Sequence, residues 1–153
     1  MKRLGKMYLI TITVLSSLSF EIRCNKIQAE ISYGELVDKI TILTIKSRRI
    51  TNRDKLQNVK TELASLQETF DEYIGDRADI ATLQTELQKI NEILWDVEDL
   101  IRIKELNKEF GDEFVQLARN VYFTNDKRAA IKREIDLLLG SRVMEEKSYQ
   151  TYA

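Results

Sequence analysis

The chain alternates between apolar positions at helical spacing and short polar breaks from residue 32 onward. Ser32-Tyr33-Gly34-Glu35 reads as a capping box, with the Ser32 oxygen taking the Glu35 backbone N–H and the Glu35 carboxylate reaching back to the Ser32 N–H. A helix is therefore predicted from about Tyr33 to Arg49. At about 100° per residue, Leu36, Val37, Ile40, Leu43 and Ile50 form one apolar stripe, while Ile42 and Ile45 lie nearly opposite. A helix apolar on two faces packs between neighbours, which puts this one at the centre of a bundle.

Two longer helices follow. One is expected from about Asp54 to Ile74, with Leu56, Val59, Leu63, Leu66, Phe70 and Tyr73 alternating by three and four. The other is expected from about Ile80 to Phe110, with Leu83, Leu87, Ile90, Leu94, Val97 and Ile101 in the same rhythm. Both are coiled-coil-like seams. Gly75 between them suits a left-handed helix end, with Asp76 or Asp79 as the next cap. The pair predicts a long antiparallel heptad hairpin. After Gly111-Asp112 a fourth helix would bury Phe114, Leu117, Ala118 and Val121. Asn125 or Asp126 would cap a fifth, closed by Gly140. The expected fold is all-α, a four- to five-helix bundle, with residues 31–153 as one domain and 1–30 as an extension.

Residues 1–30 differ from the rest. Lys2, Arg3 and Lys6 precede an apolar run from Met7 to Phe20, the outline of a secretory signal and too short for a comfortable membrane span. The charged stretch from Glu21 to Lys26 argues against cleavage near Ala29 and tips the expectation towards the cytoplasm. Export and a cytoplasmic location both stay open.

Composition narrows the chemistry. The 153 residues include no His, no Pro, one Cys and five Gly, with 24 Lys and Arg against 25 Asp and Glu. Without His there is no Ser-His-Asp or Cys-His catalysis and no His-bound metal. A single Cys forms no internal disulfide or Cys-cluster site. A net charge of −1 speaks against a protein built mainly to hold nucleic acid. No phosphate-cradling glycine loop is present. No metal, cofactor or catalytic constellation is expected.

Three polar groups could still carry function. On a helix, Asn91, Trp95, Glu98 and Arg102 share one narrow sector. Trp95 could stack on a ligand, Arg102 grip an anion, and Glu98 accept a hydrogen bond or act as a base. The plainer alternative is a rim tryptophan beside an ordinary i,i+4 ion pair. Lys39, beside Glu35 and Asp38 on the crowded first helix, needs a partner there, and Glu98 or Asp99 could supply it. Arg119, Asn125 and Asp126 gather where the fifth helix is expected to start, whose N–H groups would bind an anion with Arg128 and Lys132 near. The ligand-binding candidates are therefore Lys39, Trp95, Glu98, Arg102, Arg119, Asn125 and Asp126.

Four blocks carry a family resemblance: Ser32 to Leu43, Leu94 to Asp99 with Ile101-Arg102, Leu117 to Ala129, and Glu145 to Tyr149. Over about residues 31–152 the chain resembles an uncharacterised family of bacterial proteins, known as a domain of unknown function. Similar domains stand alone or beside tetratricopeptide or glycosyltransferase-type regions, which implies a link to surface-polysaccharide biology. Family members tend to carry an acidic residue where Thr44 stands. A shorter likeness, from Asp38 to Arg48, is to the first helix of all-α chorismate mutases. It would imply a dicarboxylate held by Lys39, Arg48, Arg102 and Arg119.

Two functions remain in view. One is a non-enzymatic accessory or interaction module that binds a protein partner, or itself, through a helix face. The other is a pocket for a small molecule or anion, including a small enzyme. An exposed apolar strip favours the first, and a concave site where the charged candidates converge favours the second.

Overall fold

The computed structural model describes residues 27–150. The signal-like segment lies almost wholly outside them. Four helices follow in order: α1 (Tyr33–Arg49), α2 (Arg53–Tyr73), α3 (Ala78–Asn107) and α4 (Asp112–Leu139). Among the described residues there is no strand, and no helix is long and apolar enough to cross a membrane.

Helix α1 starts as its sequence dictates, with Ser32 Oγ accepting the Glu35 N–H at 3.1 Å. The reciprocal half of the capping box is not made. The Glu35 carboxylate instead crosses to Lys132 Nζ on α4, 2.6 Å away, because a buried ammonium is the more demanding partner. Helix α1 packs against α2, α3 and α4, the central position that its two apolar faces require. Leu36, Val37 and Ile40 meet Ile74, Ile80, Leu83, Leu87 and Ile135 in the core. Its close approach to α4 depends on Gly34. The Gly34 N–H donates to Asp136 Oδ1 at 2.6 Å, and a Cβ at Gly34 would collide with the Lys132 backbone.

The α2–α3 pair corrects one expectation. The chain reverses at Gly75, which takes the left-handed conformation with φ 64°. Yet the two helices make no close backbone approach to each other: α2 packs on α1, and α3 packs on α1 and α4. Leu63, Leu66 and Phe70 of α2 reach the same core cluster as Leu83 and Leu87 of α3. The two seams share α1 as their common partner, so they do not zip together as a coiled coil. Asn52, rather than Asp54, sets the start of α2 by accepting the Lys55 N–H. Neither Asp76 nor Asp79 is the residue capping α3; Arg77 holds that position with no side-chain cap.

The expected fifth helix is not separate. Helix α4 runs unbroken from Asp112 to Leu139, because no Gly or Pro interrupts it. Asn125 and Asp126 therefore sit in mid-helix. The free N–H groups that would have bound an anion there belong to the helix ladder instead.

The last turn of α1 meets α3 at Asp96, through Arg49. Helix α3 continues to Asn107, roughly three turns further. That part of α3 and the start of α4 form a two-helix projection past the end of α1. Lys104 ties its tip, pairing with Glu109 at 2.7 Å and Glu113 at 2.6 Å.

Candidate functional site

Where α1 gives out and α3 and α4 run on, the three helices leave a cleft of about 300 Å³. Helix α1 supplies Ile42, Ile45 and Lys46, and α3 supplies Asn91, Leu94, Trp95, Glu98, Asp99 and Arg102. Helix α4 adds Asn125 and Arg128. The second apolar face of α1, which made it a central helix, thus forms one wall.

A buried polar network forms the floor. Asp38 is only 1% exposed and is held from two helices. Arg128 Nε donates to Asp38 Oδ1 at 2.8 Å and Nη2 to Oδ2, a two-pronged grip. Asn91 Nδ2 donates to Asp38 Oδ1 and to Thr41 Oγ1, each at 2.9 Å. Thr41 Oγ1 in turn donates to the Asp38 carbonyl at 2.8 Å. Asp38 holds the Arg128 guanidinium above its ordinary pKa against the opposing effect of burial. Arg128 Nη1 also donates to Asn125 Oδ1 at 3.3 Å. Each buried charge is thereby answered, which is what allows an aspartate at this depth.

The rim is more open. Arg102 Nη2 pairs with Glu98 Oε2 at 2.8 Å, and Nη1 donates to the Glu98 carbonyl. This is the i,i+4 pair that the spacing allows, and both side chains are largely solvated. Arg49, not Arg102, lies over the Trp95 ring, 5.8 Å from its centroid. Lys46 lines the cleft and makes no hydrogen bond or ion pair through its ammonium among the described residues.

The sequence-selected residues divide accordingly. Trp95, Glu98, Arg102 and Asn125 come together here. Lys39 does not: it faces α2 and pairs with Glu62 at 3.2 Å, not with Glu98 or Asp99. Arg119 lies over the Phe123 ring at 5.7 Å, outside the cleft. Asp126 lines an adjoining depression of about 540 Å³ with Tyr122, Lys147 and Tyr149. The four cations of the chorismate-mutase likeness are dispersed as well, since Arg48 pairs with Glu92 at 3.7 Å.

Sequence reading missed the Asp38–Arg128–Asn91 network. The signal was present: Asp38 lies between Val37 and Ile40 on a helix already judged crowded, and a carboxylate there demands a cation. It also missed a clamp on the C-terminal segment. Lys132 is buried and bridges Glu35 of α1 and Glu145, 2.7 Å away. Burial pushes the Lys132 ammonium down, but Glu145 and Glu35 together carry it above its ordinary value. Lys132 in turn holds the Glu145 carboxyl below its ordinary range.

No curated protein and no solved structure matches the chain. A family profile does match, over residues 27–153, and its description assigns no activity and lends no support to a polysaccharide link. The chain belongs to that family, a family of unknown function designated DUF6165.

Proposed function

We propose that this helical module binds a small organic anion in the cleft between α1, α3 and α4. One observation carries the reading. Lys46, whose ammonium has no hydrogen bond or ion pair among the described residues, lines a concave site walled by Trp95 and floored by the Arg128 guanidinium. Arg128 and Arg102 are each matched by a carboxylate, so Lys46 is the cation left to meet a ligand. Ile42, Ile45, Leu94 and the indole supply the apolar surface that small-molecule sites need. No hydroxyl, thiol or imidazole lines the cleft, and the reading stops at binding.

Thermal shift with phosphate, acetate and 3-phenylpropionate tests it, on wild type and on Lys46→Gln. A ligand at about a hundred times its Kd stabilises by about 2.7 kcal/mol. At least one anion should raise the wild-type Tm and fail to raise that of Lys46→Gln. Equal shifts in both proteins, or none in either, would overturn the reading.

The projecting tip supports a second reading, a protein-interaction module. Ile103, Leu106, Phe110 and Val115 are exposed there, Leu106 to 80%. Apolar side chains in that number at one projection suit a partner or a second copy. Sedimentation velocity on wild type and Leu106→Glu would register self-association and its loss. A wild type that stays monomeric at high concentration excludes the second copy.

A further inference from the structure

Resting on the anion-binding reading, the geometry points to a ligand with a hydrogen-bond donor next to its anionic group. We infer an amino or hydroxy acid with an apolar side chain.

The inference comes from which polar atoms of the cleft are already used. Glu98 and Arg102 answer each other, and Arg128 is answered by Asp38. The Trp95 indole N–H and the Asn125 amide N–H are spare donors among the described residues, and three further groups, charged or accepting, are left. Lys46 offers a positive charge. Asp99, on the rim, makes no hydrogen bond or ion pair among the described residues. The third is the side-chain oxygen of Asn91.

Asn91 is decisive because its orientation is forced. The Asp38 carboxylate can only accept, so the Asn91 nitrogen must face it, and that nitrogen donates to both Asp38 and Thr41. Turning the amide over would set oxygen against oxygen. Its carbonyl oxygen therefore faces away from Asp38 and Thr41, with no partner among the described residues. Asn91 is 95% buried by the complement of its 5% exposure, yet no fully buried side-chain atom of the described residues lacks a partner. The oxygen therefore keeps some exposure, and Asn91 lines the cleft. A buried acceptor of this kind is satisfied by a donor from water or ligand.

A bare anion would meet Lys46 and leave this acceptor to water, with Asp99 answered only by solvent and the longer-range charge of Arg49. A hydroxyl or an ammonium beside the anionic carbon can donate to the Asn91 oxygen, and an ammonium, being charged, is also drawn to Asp99. On α3, Asn91, Trp95 and Asp99 are spaced i, i+4, i+8. They fall along one side of the helix, with the indole between the two acceptors. The apolar side chain of the ligand would lie against Trp95, Ile42 and Ile45.

A matched series separates the contributions: 3-phenylpropionate has the anion alone, 3-phenyllactate adds a hydroxyl, and phenylalanine adds an ammonium. Trp95 is the single tryptophan of the chain, so its fluorescence in the full-length protein reports binding directly. Phenyllactate, phenylalanine or both should bind about tenfold more tightly than phenylpropionate. A gain for phenylalanine that Asp99→Asn erases assigns the donor as ammonium. A gain for phenyllactate that Asp99→Asn leaves in place assigns a hydroxyl on Asn91. Lys46→Gln should weaken every member. Equal affinity across the series overturns the amino- or hydroxy-acid assignment while leaving an anion site. Absence of binding by all three, with phosphate and acetate also inert, overturns both.

Discussion

Asp38 of α1 and Arg128 of α4 stand ninety residues apart in sequence and share a two-pronged ion pair beneath the cleft. The aspartate is almost fully enclosed and the arginine about a quarter exposed. Truncating one partner of such a pair strands the other charge. Arg128→Met should cost about 3–5 kcal/mol. Replacing both, as Asp38→Leu with Arg128→Met, should cost much less than the sum of the single losses. Urea unfolding of the four proteins completes the cycle, and additive losses would show that the pair is not coupled.

The rim pair should behave in the opposite way. Glu98 and Arg102 are both largely solvated. Glu98→Gln should therefore change unfolding free energy by less than about 1 kcal/mol. A loss of several kcal/mol would move this pair from the solvated rim to the scaffold.

Gly34 tests the seating of α1 on α4. Its Cα faces the Lys132 backbone with no room for a methyl group. Gly34→Ala would normally favour a helix. Here the helices must separate and stretch the Gly34 N–H bond to Asp136. The expected effect is destabilisation of about 1–3 kcal/mol, visible as a lowered urea midpoint. A stabilised Gly34→Ala protein would contradict the close approach.

The Lys132–Glu145 contact gives a pH dependence with a definite sign. The Glu145 carboxyl is held below its ordinary range by Lys132. Its contribution is present above the unfolded glutamate pKa and fades as pH falls through the lower folded value. Lys132 is raised on balance, so its contribution is present below the unfolded lysine pKa and is lost only as pH rises through the raised value. Glu145 is substantially solvated, so the difference between wild type and Glu145→Gln should be no more than about 1 kcal/mol at neutral pH. It should vanish in acid once the pH lies below the lowered folded-state value of Glu145. A difference that grows on acidification has the wrong sign for this contact.

Much of the architecture was legible because it depends on local spacing. The two apolar faces of α1 announced its central place, and Gly75 and Gly140 do adopt left-handed helix ends. What spacing could not give was which helix each seam would meet. The regular rhythm of α2 and α3 is equally compatible with a mutual zipper and with a shared partner, and α1 settles the matter by lying between them. Asn125 misled for a related reason. Asn favours caps, but inside an uninterrupted helix it is tolerated, and its side chain here accepts from Arg128. Trp95, Glu98 and Arg102 could be grouped from the sequence because they share one helix face, and they line one cleft. Asp38, Lys46 and Arg128 reach the same place from two other helices, and such tertiary convergence leaves no periodic trace.

The most direct test of the anion cleft is a 1H–15N NMR titration of the full chain with 3-phenylpropionate, read at every resolved amide and at the single indole N–H. The account predicts saturable shifts at Trp95 Nε1–H and at amides near residues 42–46, 91–102 and 125–128, all suppressed in Lys46→Gln. Shifts centred on the tip, around residues 103–115, with Trp95 unmoved would contradict it.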